Sequence, residues 1–456
     1  MSGAQGLSSR GPFTLRTERL GPLPVVNHFI GRMGLIEILE RYVPTRDRRV
    51  TLPYARGLGV LLRSIIVERE PIYRQQETVR TFAPQMYGLD LDGVEQVGDD
   101  RIGRALDRLF DSDRVALLTE VVVAVKTRFE VDFEQLHNDS TTIRFTGQYR
   151  RAKGRRVRGK RAPFITYGYP SKDKRPDLTQ LLFTLTASAD GGIPLQFRCS
   201  DGNTNDSTTH IETWEAIRSI AGRPDFLTVA DSKLCSRENM DYIDCRGGRF
   251  VTVLPRTRLE DAEFRKWIQT HEPAWEKVWD RRNPRRKGGP RDRWYVCRAH
   301  LPSRENWPVS WVFSKLLALR HEQTRREQIA ASEEELSDLK ERLRSPKTRI
   351  RKASEVDKKV EEILQRRKVG RYLTVRRVRR QDHTFRQMRS GRPGPETPYR
   401  RITRKRWDLE WELEQEAIDY DRKSDGMYPL LCNDRSLPAA KVLEAHKGQP
   451  MIEKRF

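Results

Sequence analysis

Apolar positions recur at intervals of three and four residues from Pro22 to about Glu130, which predicts a run of amphipathic helices. Val25, Val26, Phe29 and Ile30 form one stripe, Leu35, Ile36, Ile38 and Leu39 the next, and Gly57–Val67 is a third apolar stretch. Asp99 and Asp100 stand just before Ile102, Leu106, Leu109 and Phe110, and acids suit a helix N-terminus, so another helix starts there. The period changes after Phe129. Val131–His137 predicts a strand and Leu181–Ala187 alternates as a second. Asp190-Gly191-Gly192 signals a turn, and Ile193–Cys199 is the returning strand. A helix capped by Thr208 or Thr209 then runs through Trp214, Ile217 and Ile220. After it come a short strand at Phe226–Ala230, a helix from Ser236 and a strand at Arg249–Leu254.

Strand, hairpin, helix, strand, helix, strand is the order of a ribonuclease-H-like fold: three antiparallel strands, then helix-linked strands in the same sheet. The predicted class is therefore α/β. A ribonuclease-H-like core, a mixed sheet with flanking helices, follows an all-helical N-terminal domain and is interrupted by a large insertion. Residues 1–20 are a loose lead-in and 21–130 the helical domain, a candidate DNA-binding unit. Residues 131–255 are the first part of the core, 256–424 the insertion and 425–456 the end of the core. Trp267, Trp275, Trp279, Trp294, Trp307 and Trp311 crowd the start of the insertion, with strands expected at Tyr295–Cys297 and Val309–Phe313. These tryptophans read as core. Glu322–Lys368 is charged and helical. Ser332 with Glu335 reads as a capping box. Leu336, Leu339 and Leu343 make one stripe and Val356, Val360, Ile363 and Leu364 another, with Ser345-Pro346 between them, so a helical hairpin with one apolar seam is expected. Gly391–Pro398 is a loop.

Charge sharpens the picture. Lys and Arg total 88 against 64 Asp and Glu, a net +24 over 456 residues. Such an imbalance is self-repelling, and a polyanion relieves it, so nucleic acid is the leading partner. A membrane partner is disfavoured: no basic amphipathic helix carries an aromatic face, and the longest apolar runs, such as Val121–Val125, are too short to span a bilayer. Met1–Arg19 lacks the apolar stretch of a signal peptide. The five cysteines include no C-x-x-C pair, which argues against a zinc ribbon and fits a reducing cytoplasm. No P-loop, dinucleotide fingerprint, H-E-x-x-H or nucleophile elbow is present. Two basic runs are candidates for phosphate contact: Arg150–Arg161, with Arg155, Arg156, Arg158 and Lys160, and Arg376–Arg380. A solvated face is the alternative for each.

The sharper signal is where two carboxylates fall. Asp139 follows the first strand in His137-Asn138-Asp139-Ser140-Thr141-Thr142, and Asp231 ends the later strand in Thr228-Val229-Ala230-Asp231. An Asp after a strand is ordinarily a turn residue or helix cap. In this fold, however, the two strand ends are neighbours, and two carboxylates there repel unless a divalent cation joins them. Such pairs hold the metals of phosphodiester chemistry. Glu453, on a late segment whose first turn suits Pro450, is the candidate third acid. His137 shares a strand face with Asp139 and reads as a hydrogen-bonded core residue, with a place lining the cleft as the alternative. Asp206 reads as a turn residue or a support behind the acids, and Asp425 as the start of a turn.

The chain resembles bacterial insertion-sequence transposases of the DDE class, in the group with a Tyr-Arg-Glu-Lys signature. Four segments carry the resemblance: Asp139-Ser140-Thr141-Thr142; Gly202-Asn203-Thr204-Asn205-Asp206; Val229-Ala230-Asp231-Ser232 with Phe250-Val251-Thr252-Val253-Leu254-Pro255; and Asp425-Gly426-Met427-Tyr428-Pro429-Leu430 before Glu453. The likeness runs from about residue 20 to the end. It implies that Asp139, Asp231 and Glu453 hold magnesium or manganese, as two ions. It also implies double-stranded DNA as partner, both element ends and target, a homodimer on that DNA, and a cytoplasmic, nucleoid-associated protein. The expected reaction is metal-dependent cleavage and strand transfer; a nuclease without strand transfer and a DNA-binding remnant are the alternatives. The signature Tyr is replaced by His446 and its Arg by Gln449, both expected near DNA, and the chain stops at Phe456, before the signature Lys. The resemblance therefore implies a C-terminally truncated copy.

Overall fold

The computed structural model describes residues 17–147, 149, 152–168, 175–282, 289 and 291–454, apart from the side chains of Arg281 and Glu453. The expected lead-in thus lies largely outside the described residues. The chain divides into two compact units: Met1–Val229 with Ser236–Arg249 and Gly448–Phe456, and Ala230–Cys235 with Phe250–Lys447.

The first unit begins with helices α1 (Leu23–Met33), α2 (Leu35–Tyr42), α3 (Tyr54–Val67), α4 (Gln75–Arg80), α5 (Asp99–Asp111) and α6 (Arg114–Phe129). Asp99 and Asp100 occupy the first turn of α5, and the Asp113 carboxylate accepts from the Ala116 amide to cap α6. Leu23, Val60, Val79, Phe82, Tyr87 and Ile102 share one buried cluster, and Leu39, Ala55, Leu58 and Ala105 belong to another, whereas Val25 and Phe29 of the first predicted stripe are exposed.

Its strands are β1 (Gln135–Phe145), β2 (Arg156–Val157), β3 (Lys160–Arg161), β4 (Thr179–Ser188), β5 (Pro194–Ser200) and, after helix α7 (His210–Ala221), β6 (Leu227–Ala230), followed by α8 (Arg237–Asp244). Four of them lie side by side in the order β5-β4-β1-β6. The β5–β4 and β4–β1 pairs are antiparallel, and β6 runs parallel to β1. The predicted meander and its helix-linked strand are therefore present. The first strand differs from expectation: it starts at Gln135 rather than Val131 and continues through Asp139 to Phe145. The β-branched run Thr141-Thr142-Ile143 keeps the backbone extended, and β4 pairs with it residue by residue, with Asp139 opposite Leu185. Thr209 stands at the α7 N-cap, but its hydroxyl donates to the Asp206 carbonyl at 2.8 Å instead of capping the helix.

The second unit contains β7 (Arg249–Val253), α9 (Leu259–Trp267), β8 (Glu276–Arg282), β9 (Arg291–Arg298), β10 (Val309–Ser314), α10 (Lys315–Arg344), α11 (Ala353–Arg367), β11 (Leu373–Gln387), β12 (Tyr399–Leu413), α12 (Gln415–Arg422), β13 (Met427–Cys432) and α13 (Ala439–Lys447). Five strands follow the order β7-β13-β10-β9-β8. The Trp-rich stretch supplies three of them. Trp307 and Trp311 are buried as expected, with Phe264 stacked on Trp311 at 4.1 Å, while Trp267, Trp275, Trp279 and Trp294 are only partly buried.

Helices α10 and α11 form the predicted hairpin, sealed by Leu336, Leu339, Leu343, Val356 and Ile363. The capping box does not form. Ser332 is buried in the middle of the 30-residue α10, where its hydroxyl donates to the Gln328 carbonyl at 2.8 Å, and Ser314 caps the helix instead. Glu335 reaches across the hairpin to Arg366 and Arg367. Strands β11 and β12, 15 residues each, form a long two-stranded ribbon that sequence pattern did not predict.

Candidate active site

Within the first unit, β1 brings Gln135, His137 and Asp139 onto one face, because successive side chains alternate across a strand. The start of the strand is buried on both faces, with Leu136, His137 and Asn138 all enclosed. The His137 ring is bound at both nitrogens: Nε2 accepts from the Gln135 amide at 2.9 Å, and Nδ1 donates to Gln449 Oε1 at 3.0 Å. This pairing requires the neutral ring, and burial lowers the His137 pKa, which favours the same state. His137 is thus the hydrogen-bonded core residue expected of it.

Gln449 also donates through Nε2 to the Asn138 carbonyl at 2.8 Å. It opens a 3-10 segment, Gln449–Lys454, where an ordinary α-helical turn was expected. Ile452 of this segment is fully buried against Leu185 and Ala187 of β4. Leu185 is the cross-strand partner of Asp139 and Ala187 that of His137, so all four share a sheet face. The backbone carrying Glu453 is therefore seated on the face that presents Asp139. The Glu453 side chain itself lies outside the described residues.

Asp139 is half-buried, and its Oδ1 accepts the Ser140 amide at 2.9 Å. The parallel pairing of β1 with β6 sets Gln135 against Leu227, Leu136 against Thr228 and His137 against Val229. Asp139 stands two residues beyond His137, and Asp231 two beyond Val229.

Asp231 belongs to the second unit and is exposed. Its Oδ1 accepts the Lys233 amide at 2.9 Å, and its carbonyl accepts from the Thr252 hydroxyl of β7 at 2.6 Å. The strand end is thus held by side-chain and backbone bonds at once. Among the described residues, no group of three or more His, Cys, Asp or Glu side chains is gathered as a metal cage.

The expected DNA contacts separate into two kinds. Strands β2 and β3 join through Arg158-Gly159, both at positive φ (48° and 78°), a two-residue hairpin turn. Arg155 and Arg156 are exposed on this hairpin, as a phosphate contact requires. Arg158 is instead paired with Asp111, its Nε 2.6 Å from Oδ1, which holds the Asp111 carboxyl below the usual range. Lys160 donates to the Phe110 and Ser112 carbonyls, both at 2.6 Å, at the C-terminal end of α5. Arg150 and Arg151 lie outside the described residues.

Two further DNA candidates also have internal roles. Gln449 clamps β1, and the half-buried His446 ring lies 5.6 Å from the Tyr428 ring in the second unit. Sequence reasoning missed these partnerships because the partners lie 18 to 312 positions away. Asp425 lies in the expected turn with Gly426, but it has a further partnership that pattern did not show. Asp425 is buried and paired with the equally buried Arg325 of α10, with His321 Nδ1 3.9 Å away.

No family model matches the chain, and no curated protein does. Among solved structures, the chain is similar to a piggyBac transposase in a synaptic complex with hairpin DNA, at 12% identity and a TM-score of 0.30. That alignment covers 62% of this chain and 60% of the piggyBac chain.

Proposed function

We propose that this chain is a DNA transposase of the DDE type, built on a ribonuclease-H-like core, with Asp139, Asp231 and Glu453 as its metal-binding acids. One observation carries the reading: the parallel register of β1 and β6, with an Asp two residues beyond its last pair on each strand. These two acids, each two residues beyond the last paired position of its strand, are taken as the pair that a ribonuclease-H-like core uses. The strand order β5-β4-β1-β6, with α7 before the parallel strand, supports the core fold. The seating of the Glu453 segment on the Asp139 face supports the third acid.

The donor set fits magnesium or manganese, since carboxylate oxygens are hard ligands. Bound there, such ions activate the attacking oxygen and stabilise the leaving one. The protein's part is positional. The Ser140 amide orients the Asp139 carboxylate, the Lys233 amide orients that of Asp231, and the Gln449 clamp holds the segment that bears Glu453. Duplex DNA is the substrate, attracted by the net positive charge, and two chains acting as a homodimer would serve two DNA ends.

The test is cleavage and strand transfer on duplex DNA with magnesium. Asp139→Asn and Asp231→Asn each delete an anionic ligand at constant size, and each is expected to abolish cleavage while leaving DNA binding intact. Undiminished cleavage in either variant refutes the assignment. Cleavage by the unaltered chain without joining would identify a nuclease, and binding without either reaction a DNA-binding protein.

A further inference from the structure

The ribbon of β11 and β12 has chemistry that the proposed catalytic centre does not use. Its base is anchored: Leu373, Val375, Trp407, Leu409 and Trp411 join the core of the α10–α11 hairpin. Beyond that base Arg406 still donates to the Arg344 and Ser345 carbonyls at the end of α10, and past it the ribbon stands clear. From Arg379 to Arg406 no residue is buried, on either face. At about 3.3 Å per residue, the strands alone carry the arm roughly 25 Å past its anchor.

This bare stretch holds ten Lys or Arg against two acids, Asp382 and Glu396. The cross-strand register sets like charges directly opposite one another, Arg380 against Arg406 and Arg386 against Arg400. Asp382 bridges the first couple, at 3.1 and 3.0 Å. Among the described residues, Arg386, Arg400 and Arg404 form no ion pair. Near the turn, Phe385, Met388 and Tyr399 are 67%, 64% and 49% exposed.

A lone two-stranded ribbon is marginal in water, and facing like charges weaken it further. A sequence that keeps both features in a segment without its own core implies an external polyanion. We propose that this ribbon is a DNA-gripping arm: it lies in a groove of duplex DNA, Arg386, Arg400 and Arg404 contact phosphates, and Phe385 and Met388 reach the base pairs. The dimensions agree, since the major groove of B-DNA admits a two-stranded ribbon. Exposed apolar side chains at the tip of a basic arm suit insertion at base steps. An anionic membrane fits less well, because the arginines lie on both faces along the arm while a bilayer meets one side.

The choice of DNA as partner rests on the transposase reading; the location of the grip does not depend on cleavage. The experiment uses the full chain, a fluorescently labelled duplex and a potassium chloride titration followed by anisotropy. Replacing Arg386, Arg400 and Arg404 together by Ala should weaken binding at least tenfold. It should also reduce the slope of log affinity against log salt by about 0.9 for each phosphate that is no longer neutralised. The corresponding triple Lys variant should keep the slope, and Phe385→Ser with Met388→Ser should weaken binding at constant slope.

Identical affinity and slope for the triple Ala variant overturn the arm while leaving the catalytic reading intact. Loss of binding in that variant, with normal binding by Asp139→Asn, supports the arm whether or not the chain cleaves. Binding of the unaltered chain to phosphatidylserine vesicles but not to duplex DNA overturns both readings.

Discussion

Replacing Gln449 by Ala tests how the proposed third acid is held in place. The substitution removes two hydrogen bonds, from His137 Nδ1 to Oε1 at 3.0 Å and from Nε2 to the Asn138 carbonyl at 2.8 Å. Both partners are buried, so neither regains full hydration. A buried polar group left without a partner costs about 1–3 kcal/mol, which puts the pair at about 2 kcal/mol even at the lower bound. That shifts the docking equilibrium of Gln449–Lys454 roughly 30-fold toward the open state. The loss is local: Ile452 still offers its apolar contact, and the helices of the first unit have cores of their own. Hydrogen exchange read by mass spectrometry should therefore show amides 449–454 exchanging at least tenfold faster, with β4 and β5 unchanged. Magnesium-dependent cleavage should fall in step, because a displacement of about 1 Å in a reacting group costs on the order of a hundredfold. Equal exchange in the variant and the unaltered chain would show that Ile452 alone holds the segment, and the clamp argument would fail.

Two other outcomes are expected of the fold. Burial pushes the His210 pKa down to about 4, while an unfolded histidine titrates near 6.5, so its contribution to stability is complete above about 6.5 and is lost as pH falls toward 4. Urea unfolding at pH 7.5 and 4.5 should differ by up to about 3 kcal/mol from this residue, His210→Leu should flatten the difference, and a pH-independent midpoint in the unaltered chain would contradict the assignment. Asp425→Ala strands the buried Arg325 guanidinium and should destabilise the second unit by about 3–5 kcal/mol. The double change Arg325→Met with Asp425→Leu should be far milder, and similar melting temperatures for the two variants would refute the pairing argument.

How much was legible in the sequence follows from how each element is encoded. Strand β4 contains an alternating stretch, β5 returns from it across the Asp190-Gly191-Gly192 turn and β6 is a short, fully buried run, so local pattern suffices for them. The length of β1 was not legible, because Asn138–Thr142 are polar residues that break the apolar pattern, and the β4 partner that pairs with them lies some 45 positions later. The ribbon escaped notice for the opposite reason: arginines on both faces erase the alternation by which a strand is recognised, and only Gly391–Pro398 betrayed a loop between two unnamed halves. Arg158 and Lys160 read as free charge because the α5 groups they bind lie some 50 positions earlier.

The candidate site divides in the same way. Asp231 follows the end of β6, which local pattern gives approximately, whereas Asp139 lies inside β1 and not at its end as expected. The orientation of the site depends on Gln449, which meets His137 across 312 positions. At residue 449, a neutral amide donates to one buried partner and accepts from another, which a guanidinium, having no acceptor, could not do. Residue 449 therefore serves the interior of the first unit, through its bonds to His137 and Asn138.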